Sequence, residues 1–213
     1  MEDKMKQFND AMNDVRKAHR LIYSYQQRML DLIYFIKSKL DFPLFWAEKR
    51  FSNDIYKKRN GYLLLPDNMW AWDFLYSYMF EYYLGEINLD NEGICALSVI
   101  QYSDTGFFEN EDNSRMDINS FAEEEESGSK LLFILEIKPK RKNWIWNINE
   151  LVMDKQYASL KHECTIIKSD KGNIQVLYSF SLNRFLNEKT SLAALKEFID
   201  YCKENDVVEL NLI

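Results

Sequence analysis

Residues 130–146 read KLLFILEIKPKRKNWIW, and the fold turns on how this stretch must be housed. Leu131 to Leu135 is an unbroken apolar run of strand length, which predicts a strand covered on both faces and therefore central in its sheet. Side chains alternate along a strand, so Leu132, Ile134, Glu136 and Lys138 share one face while Phe133, Leu135 and Ile137 share the other. Glu136 and Lys138 are thereby neighbours. Pro139 lacks a backbone donor, so the chain is expected to leave the sheet there.

Working outward, the central strand needs partners on both edges. Asp90-Asn91-Glu92-Gly93 is turn chemistry between two alternating segments, Trp72 to Leu84 and Ile94 to Tyr102, and predicts a hairpin. The first of these is rich in aromatics, and Asp67 with Gly85 could instead cap a helix over it. Asp170-Lys171-Gly172-Asn173 predicts a second hairpin between Cys164 to Lys168 and Ile174 to Leu182. A short helix is expected at 44–55 and a helix over 144–160, with an exposed turn at 57–61, a brief strand at 62–65 and a final short strand at 207–213. Thr190-Ser191 opens a helix that places Leu192, Leu195, Phe198, Ile199 and Cys202 on one face. The sum is an α+β domain on a largely antiparallel sheet of five to six strands with flanking helices.

Residues 2–40 contain neither Gly nor Pro, and their apolar positions recur with a seven-residue period. Met5, Met12, His19, Gln26, Ile33 and Leu40 fall at position a, and Phe8, Val15, Ile22, Met29 and Ile36 at position d. Such a pattern predicts one long helix over 1–40, serving either as a self-associating or partner-binding coiled coil or as a helix that kinks near Ser24 and packs its second half on the sheet. The organisation expected is that helix followed by a single domain over 41–213, with an acidic loop at 109–129 that contains the run Glu123 to Glu126.

Composition narrows the function classes. The 213 residues are 46% hydrophobic and 15% aromatic, so a packed core is expected, and only 6 glycines and 3 prolines argue for long elements over many short strands. A net charge of −7 disfavours indiscriminate binding to nucleic acid or an anionic membrane. Cys95, Cys164 and Cys202 form no paired motif, no apolar stretch reaches the ~18 residues of a membrane span, and the expectation is a cytoplasmic protein with reduced thiols and no membrane contact. His19 and His162 lie far from any cysteine pair, so a structural zinc site is not expected.

Two constellations could carry chemistry. Lys138, Lys140, Arg141 and Lys142 followed by Trp144 and Trp146 combine phosphate-seeking charge with stackable rings, the residue types that hold single-stranded nucleic acid. Glu136-Ile137-Lys138 on its strand resembles the E-x-K element of PD-(D/E)XK nucleases, and the order helix, three strands, helix, strand is similar too. That resemblance implies a divalent-metal-dependent nuclease with Mg or Mn as cofactor, Glu136 as metal ligand and Lys138 assisting the attacking water. Its second carboxylate would be Asp104, since a hard cation needs more than one oxygen ligand. The reading preferred from the sequence is different. With no complete catalytic constellation and no favoured cofactor, the chain reads as a non-enzymatic protein that binds a protein partner, or itself through the N-terminal helix, as a bacterial or phage accessory, immunity or inhibitor factor would.

Overall fold

The structure is a computed structural model describing residues 2–52, 57–59, 62–64, 71–75, 77–89, 93–110, 117–139, 148–169 and 172–213. Two compact units are present, Met1–Ile36 and Lys37–Ile213. The first is helix α1 (Glu2–Lys39) without its last turn, an unbroken helix about 57 Å long at ~1.5 Å per residue.

The second unit is built on a six-stranded sheet in the order β1-β4-β5-β6-β8-β7. Its strands are β1 (Trp46–Lys49), β4 (Met79–Asn88), β5 (Gly93–Tyr102), β6 (Lys130–Pro139), β7 (Cys164–Lys168) and β8 (Ile174–Ser181). Every pairing is antiparallel. A separate two-stranded ribbon joins β2 (Lys57–Arg59) to β3 (Tyr62–Leu64). The fold is thus α+β with an antiparallel sheet, and β6 lies inside it, flanked by β5 and β8. Leu131 to Leu135 are all fully buried.

Both faces of β6 are covered, as its apolar run requires. On one face Leu132 and Ile134 join Ile100, Tyr102 and Leu177 under Phe107, Phe108, Ile148, Val152 and Tyr157. These come from α2 (Gly106–Glu109), α3 (Asn149–Met153), α4 (Lys155–Ala158) and the residue before α3. On the other face Phe133 packs edge-on to Phe198 of α5 (Glu188–Glu204) at 5.2 Å and to Phe180 at 5.4 Å. The N-terminus of α5 is fixed by a capping box, in which the Asn187 side chain accepts from the Thr190 amide and the Thr190 hydroxyl accepts from the Asn187 amide. The helix therefore begins just ahead of the Thr190-Ser191 start read from the sequence.

Several expectations are corrected. The segment expected as a helix over 44–55 contains strand β1, an exposed edge strand whose backbone pairs with β4. Lys57–Arg59, expected within a turn, is strand β2. The aromatic segment 72–84 is not one strand: Ala71–Phe74 forms a 3-10 turn, and β4 begins at Met79. Trp72 is freed from the sheet by that turn and caps a ring cluster, edge-on to Phe51 at 5.3 Å and stacked on Phe121 at 5.4 Å. Phe121 belongs to the segment read as a solvated acidic loop. Its ring docks on the core while Glu123 to Glu126 stay exposed. Residues 207–213 form no strand. Residues 90–92 and 170–171 of the two expected hairpin turns lie outside the described residues.

Cys95 and Cys202 are buried and Cys164 is exposed, all three as free thiols. Burial pushes the Cys202 thiol up to about 12 and raises that of Cys95 as well. Among the described residues no helix is long and apolar enough to cross a membrane.

One glycine is demanded by close approach. Gly85 has φ +105 at the register shift between Tyr83 and Gly85, and a Cβ there would lie 2.8 Å from Leu44 Cβ and 2.9 Å from Leu44 N. At this point the chain entering β1 crosses β4, with the Leu44 amide donating to Leu84 O at 3.2 Å. Gly172 also has positive φ (+83), yet a Cβ there meets nothing within 4 Å. Gly172→Ala should therefore cost only the backbone strain, about 1 kcal/mol. Gly85→Ala should cost roughly twice that or more, because strand β1 must also give way. Urea unfolding of the two variants compares them directly, and equal losses would mean that Leu44 yields freely.

Candidate functional site

Period-two alternation along β6 puts Glu136 and Lys138 side by side, and they form an ion pair at 2.9 Å with side chains 6% and 14% exposed. In the register, Glu136 sits opposite Ala96 of β5 and Gln175 of β8, and Lys138 sits opposite Ile94. Neither β5 nor β8 contains an Asp or Glu. The nearest aligned carboxylate on this rung is Glu86 of β4, beyond Ala96, where a spacing of two strands is roughly 10 Å. Glu86 Oε1 accepts from the Tyr83 hydroxyl at 3.0 Å.

Asp104, the second carboxylate implied by the nuclease resemblance, follows β5 at the end where Tyr102 pairs with Lys130. Lys130 and Glu136 stand at opposite ends of the apolar run, roughly 20 Å apart at ~3.3 Å per residue. Asp104 Oδ1 is engaged locally, accepting from the Gly106 amide at 2.7 Å. The structure thus brings Glu136 and Lys138 together and leaves Asp104 at the far end of the ladder. Lys140, Arg141, Lys142, Trp144 and Trp146 lie outside the described residues, so of the basic and aromatic stretch only Lys138 is placed. Among the described residues, the acidic ligand atoms that do converge, within 4.8 Å of one another, are those of Glu123, Glu124 and Glu125, all exposed.

Two buried charge clusters escaped sequence reasoning. Glu81 of β4 is fully buried, and its Oε2 accepts from Arg50 Nε at 2.6 Å and from Arg50 Nη2. Ser98 Oγ donates to Glu81 Oε1, while Arg50 Nη1 donates to Asn149 Oδ1 at 2.6 Å. The guanidinium accordingly ties the end of β1 to β4 and to the start of α3. Its planar fork suits this use, since several donors leave one rigid group. The available signal was a lone acid at a core-facing alternate position in MFEYYL.

The second cluster surrounds Lys130, which is 2% exposed. Its Nζ donates to Tyr157 O at 2.5 Å, Ser159 O at 2.7 Å and Ser179 Oγ at 3.2 Å, and lies 5.4 Å from the Tyr102 ring centroid. Three donors thus meet three acceptors around the end of α4, which is what a buried ammonium requires. His162 stands beside it, with Nδ1 2.8 Å from Ser179 Oγ and Nε2 3.1 Å from Thr165 Oγ1. Burial pulls the Lys130 amine down to about 7, against the opposing pull of Glu109. Burial, with the Lys130 charge second, pulls the His162 imidazole down to about 4. The arrangement is a hydrogen-bonded brace of β6, β8 and α4, and its amine is too enclosed to reach a substrate.

Both groups are bases whose affinity for protons is lower in the fold than in the unfolded chain. Between the folded and unfolded values the unfolded chain binds more protons, so stability rises with pH there. For His162 the window is about 4 to the ordinary 6.5, with full stability above it and loss as the pH falls through it. For Lys130 it is about 7 to the ordinary 10.5, with stability rising as the amine sheds its proton. Melting temperatures across pH 4 to 10 should show both slopes, the acid one disappearing in His162→Gln and the alkaline one in Lys130→Met. A flat profile through both windows would contradict this account.

No solved structure matches the chain. The uncharacterized protein PM0109 of Pasteurella multocida (strain Pm70) is 38% identical over 66 residues, which cover 28% of this chain and 32% of that protein. The matched part is thus about a third of that relative's length. The family described as PM0109 matches across residues 5–209, through α1 and the whole sheet, and the chain belongs to that family.

Proposed function

We propose that the protein is a non-enzymatic, cytoplasmic binding protein that docks on another macromolecule through α1, as an accessory, immunity or inhibitor factor of bacterial or phage origin would. The observation that carries this reading is the apolar seam of the helix. Met5, Phe8, Val15 and Ile22 are 60%, 56%, 46% and 41% exposed, aligned at the seven-residue period of one helix face. An exposed apolar stripe of this kind, interrupted only by His19, is costly in water and marks a surface built to be covered.

The rival reading is the divalent-metal-dependent nuclease, favoured by the adjacency of Glu136 and Lys138 on the central strand. What weighs against it is the setting of that pair. Glu136 is committed to Lys138 at 2.9 Å, no carboxylate lies on either neighbouring strand, and Asp104 is at the other end of the ladder. Hard-cation chemistry needs convergent oxygen ligands, and these residues do not supply them.

The two readings give Glu136 opposite behaviour. As half of a largely buried pair, Glu136→Gln removes the charge facing the Lys138 ammonium and should destabilise the fold by about 2 kcal/mol, between the exposed and buried limits for an ion pair. As a metal ligand, the same change would leave the fold intact and abolish cleavage. The expected result is a clear fall in urea stability together with no Mg- or Mn-dependent cleavage of DNA or RNA by the parent protein. Divalent-dependent cleavage lost in both Glu136→Gln and Lys138→Ala would overturn the binding-protein reading.

A further inference from the structure

We infer that the occupant of the α1 seam is a second copy of the same helix, lying parallel and in register. The inference rests on the docking reading above and names the partner of that surface. Three properties of the helix select this occupant.

The first is area. Met5, Phe8, Val15, Ile22 and the flanking Tyr23, itself 70% exposed, carry on the order of 200 Å² each. Weighted by exposure they offer roughly 500 Å² per helix, or roughly 1,000 Å² for a symmetric pair, which just reaches the size of a specific interface. A helix copy therefore suffices without any further surface, and the resulting dimer is a weak one.

The second is charge. In a parallel pair the positions flanking the seam meet across the interface, and here they hold Lys4, Asn9, Ala11, Arg16, Ala18, Tyr23 and Tyr25. Lys4 and Arg16 are the charges among them; Lys4 would meet Asn9 and Arg16 would meet Ala11 of the second copy, so no like charges are opposed. The remaining charges of the segment fall on the outward positions. Lys17 and Asp14, for example, pair with each other at 3.0 Å with side chains 68% and 74% exposed.

The third is the polar residue inside the exposed part of the seam. In a parallel, in-register dimer His19, which is exposed, meets His19 of the second copy, so each imidazole finds a hydrogen-bonding partner of its own kind. In an antiparallel pair position a faces position d, and His19 would be set against Phe8, Val15 or Ile22 with its polar atoms turned toward hydrocarbon. Polar residues at position a fix register and oligomeric state at a cost in stability. Orientation and weakness thus have one cause.

The test uses the full-length chain. Sedimentation velocity from about 1 to 100 µM should pass from monomer to dimer, as a weak interface requires. In a Cys164→Ser background, Met12→Cys places a thiol at a self-facing seam position, and air oxidation should join two chains through it. Replacing His19 with Leu should tighten association by roughly tenfold. A chain that stays monomeric throughout this range overturns the inference, as does a dimer that fails to cross-link at position 12. A monomer without nuclease activity would remove the second copy and leave docking on a different protein. Metal-dependent cleavage would instead remove the docking reading itself, whatever the oligomeric state.

Discussion

Five consecutive side chains on β6, Leu131 to Leu135, have no exposure to solvent, and most of the second unit can be understood as the means of keeping them so. A strand apolar on both sides must have a partner on each edge and a layer on each face. The edges are β5 and β8; the layers are the short helices α2 to α4 on one side and α5 on the other. Burial on this scale supplies the driving force for folding, but it also draws in the ends of the run. Lys130 precedes it and Glu136 follows it, and both are carried below the surface. Each then needs compensation, which the fold provides as three oxygen acceptors for the amine and an adjacent ammonium for the carboxylate.

The same logic shows what was legible in the sequence. The central strand, both hairpins, the long helix and the buried face of α5 were all written in local periodicity. The misread elements are those where local pattern and tertiary setting disagree. Trp46–Lys49 is made of residues that suit a helix, and it is a strand because β4 offers an unpaired edge. The alternating aromatics from Trp72 imitate a single strand, but Trp72 and Tyr78 are recruited into a cluster with Phe51, Phe107 and Phe121, which bends the chain before Met79. Phe121 itself was hidden by the acidic residues that follow it.

Legibility of the site divides along the same line. Adjacency of Glu136 and Lys138 follows from period two alone. Distance between Glu136 and Asp104 follows from antiparallel pairing, because β5 ends where β6 begins, so residues just past β5 cannot lie beside the far end of β6. By contrast, Arg50 and Glu81, or Lys130 and His162, are far apart in sequence and meet only through packing. No local pattern announces them. These buried charges specify how elements dock, whereas the exposed seam of α1 has no such internal role, and it is there that the proposed function resides.

The strand order carries a consequence for how the molecule is made. The meander β4-β5-β6 joins strands that follow one another along the chain, but β8 reaches β6 only after α3, α4 and β7 have been passed. Pairing β8 with β6 brings together residues as distant in sequence as Lys130 and Ser181, so that edge is closed only when the β7–β8 hairpin docks. Until it does, the outer edge of β6 is open, and the backbone it presents belongs to the most apolar run in the sheet. An unpaired edge of that composition is the segment by which a nascent chain would join another copy in the wrong way. The timely arrival of β8 is therefore a condition of solubility during synthesis, and lesions in the β7–β8 hairpin would appear first as lost yield of soluble protein.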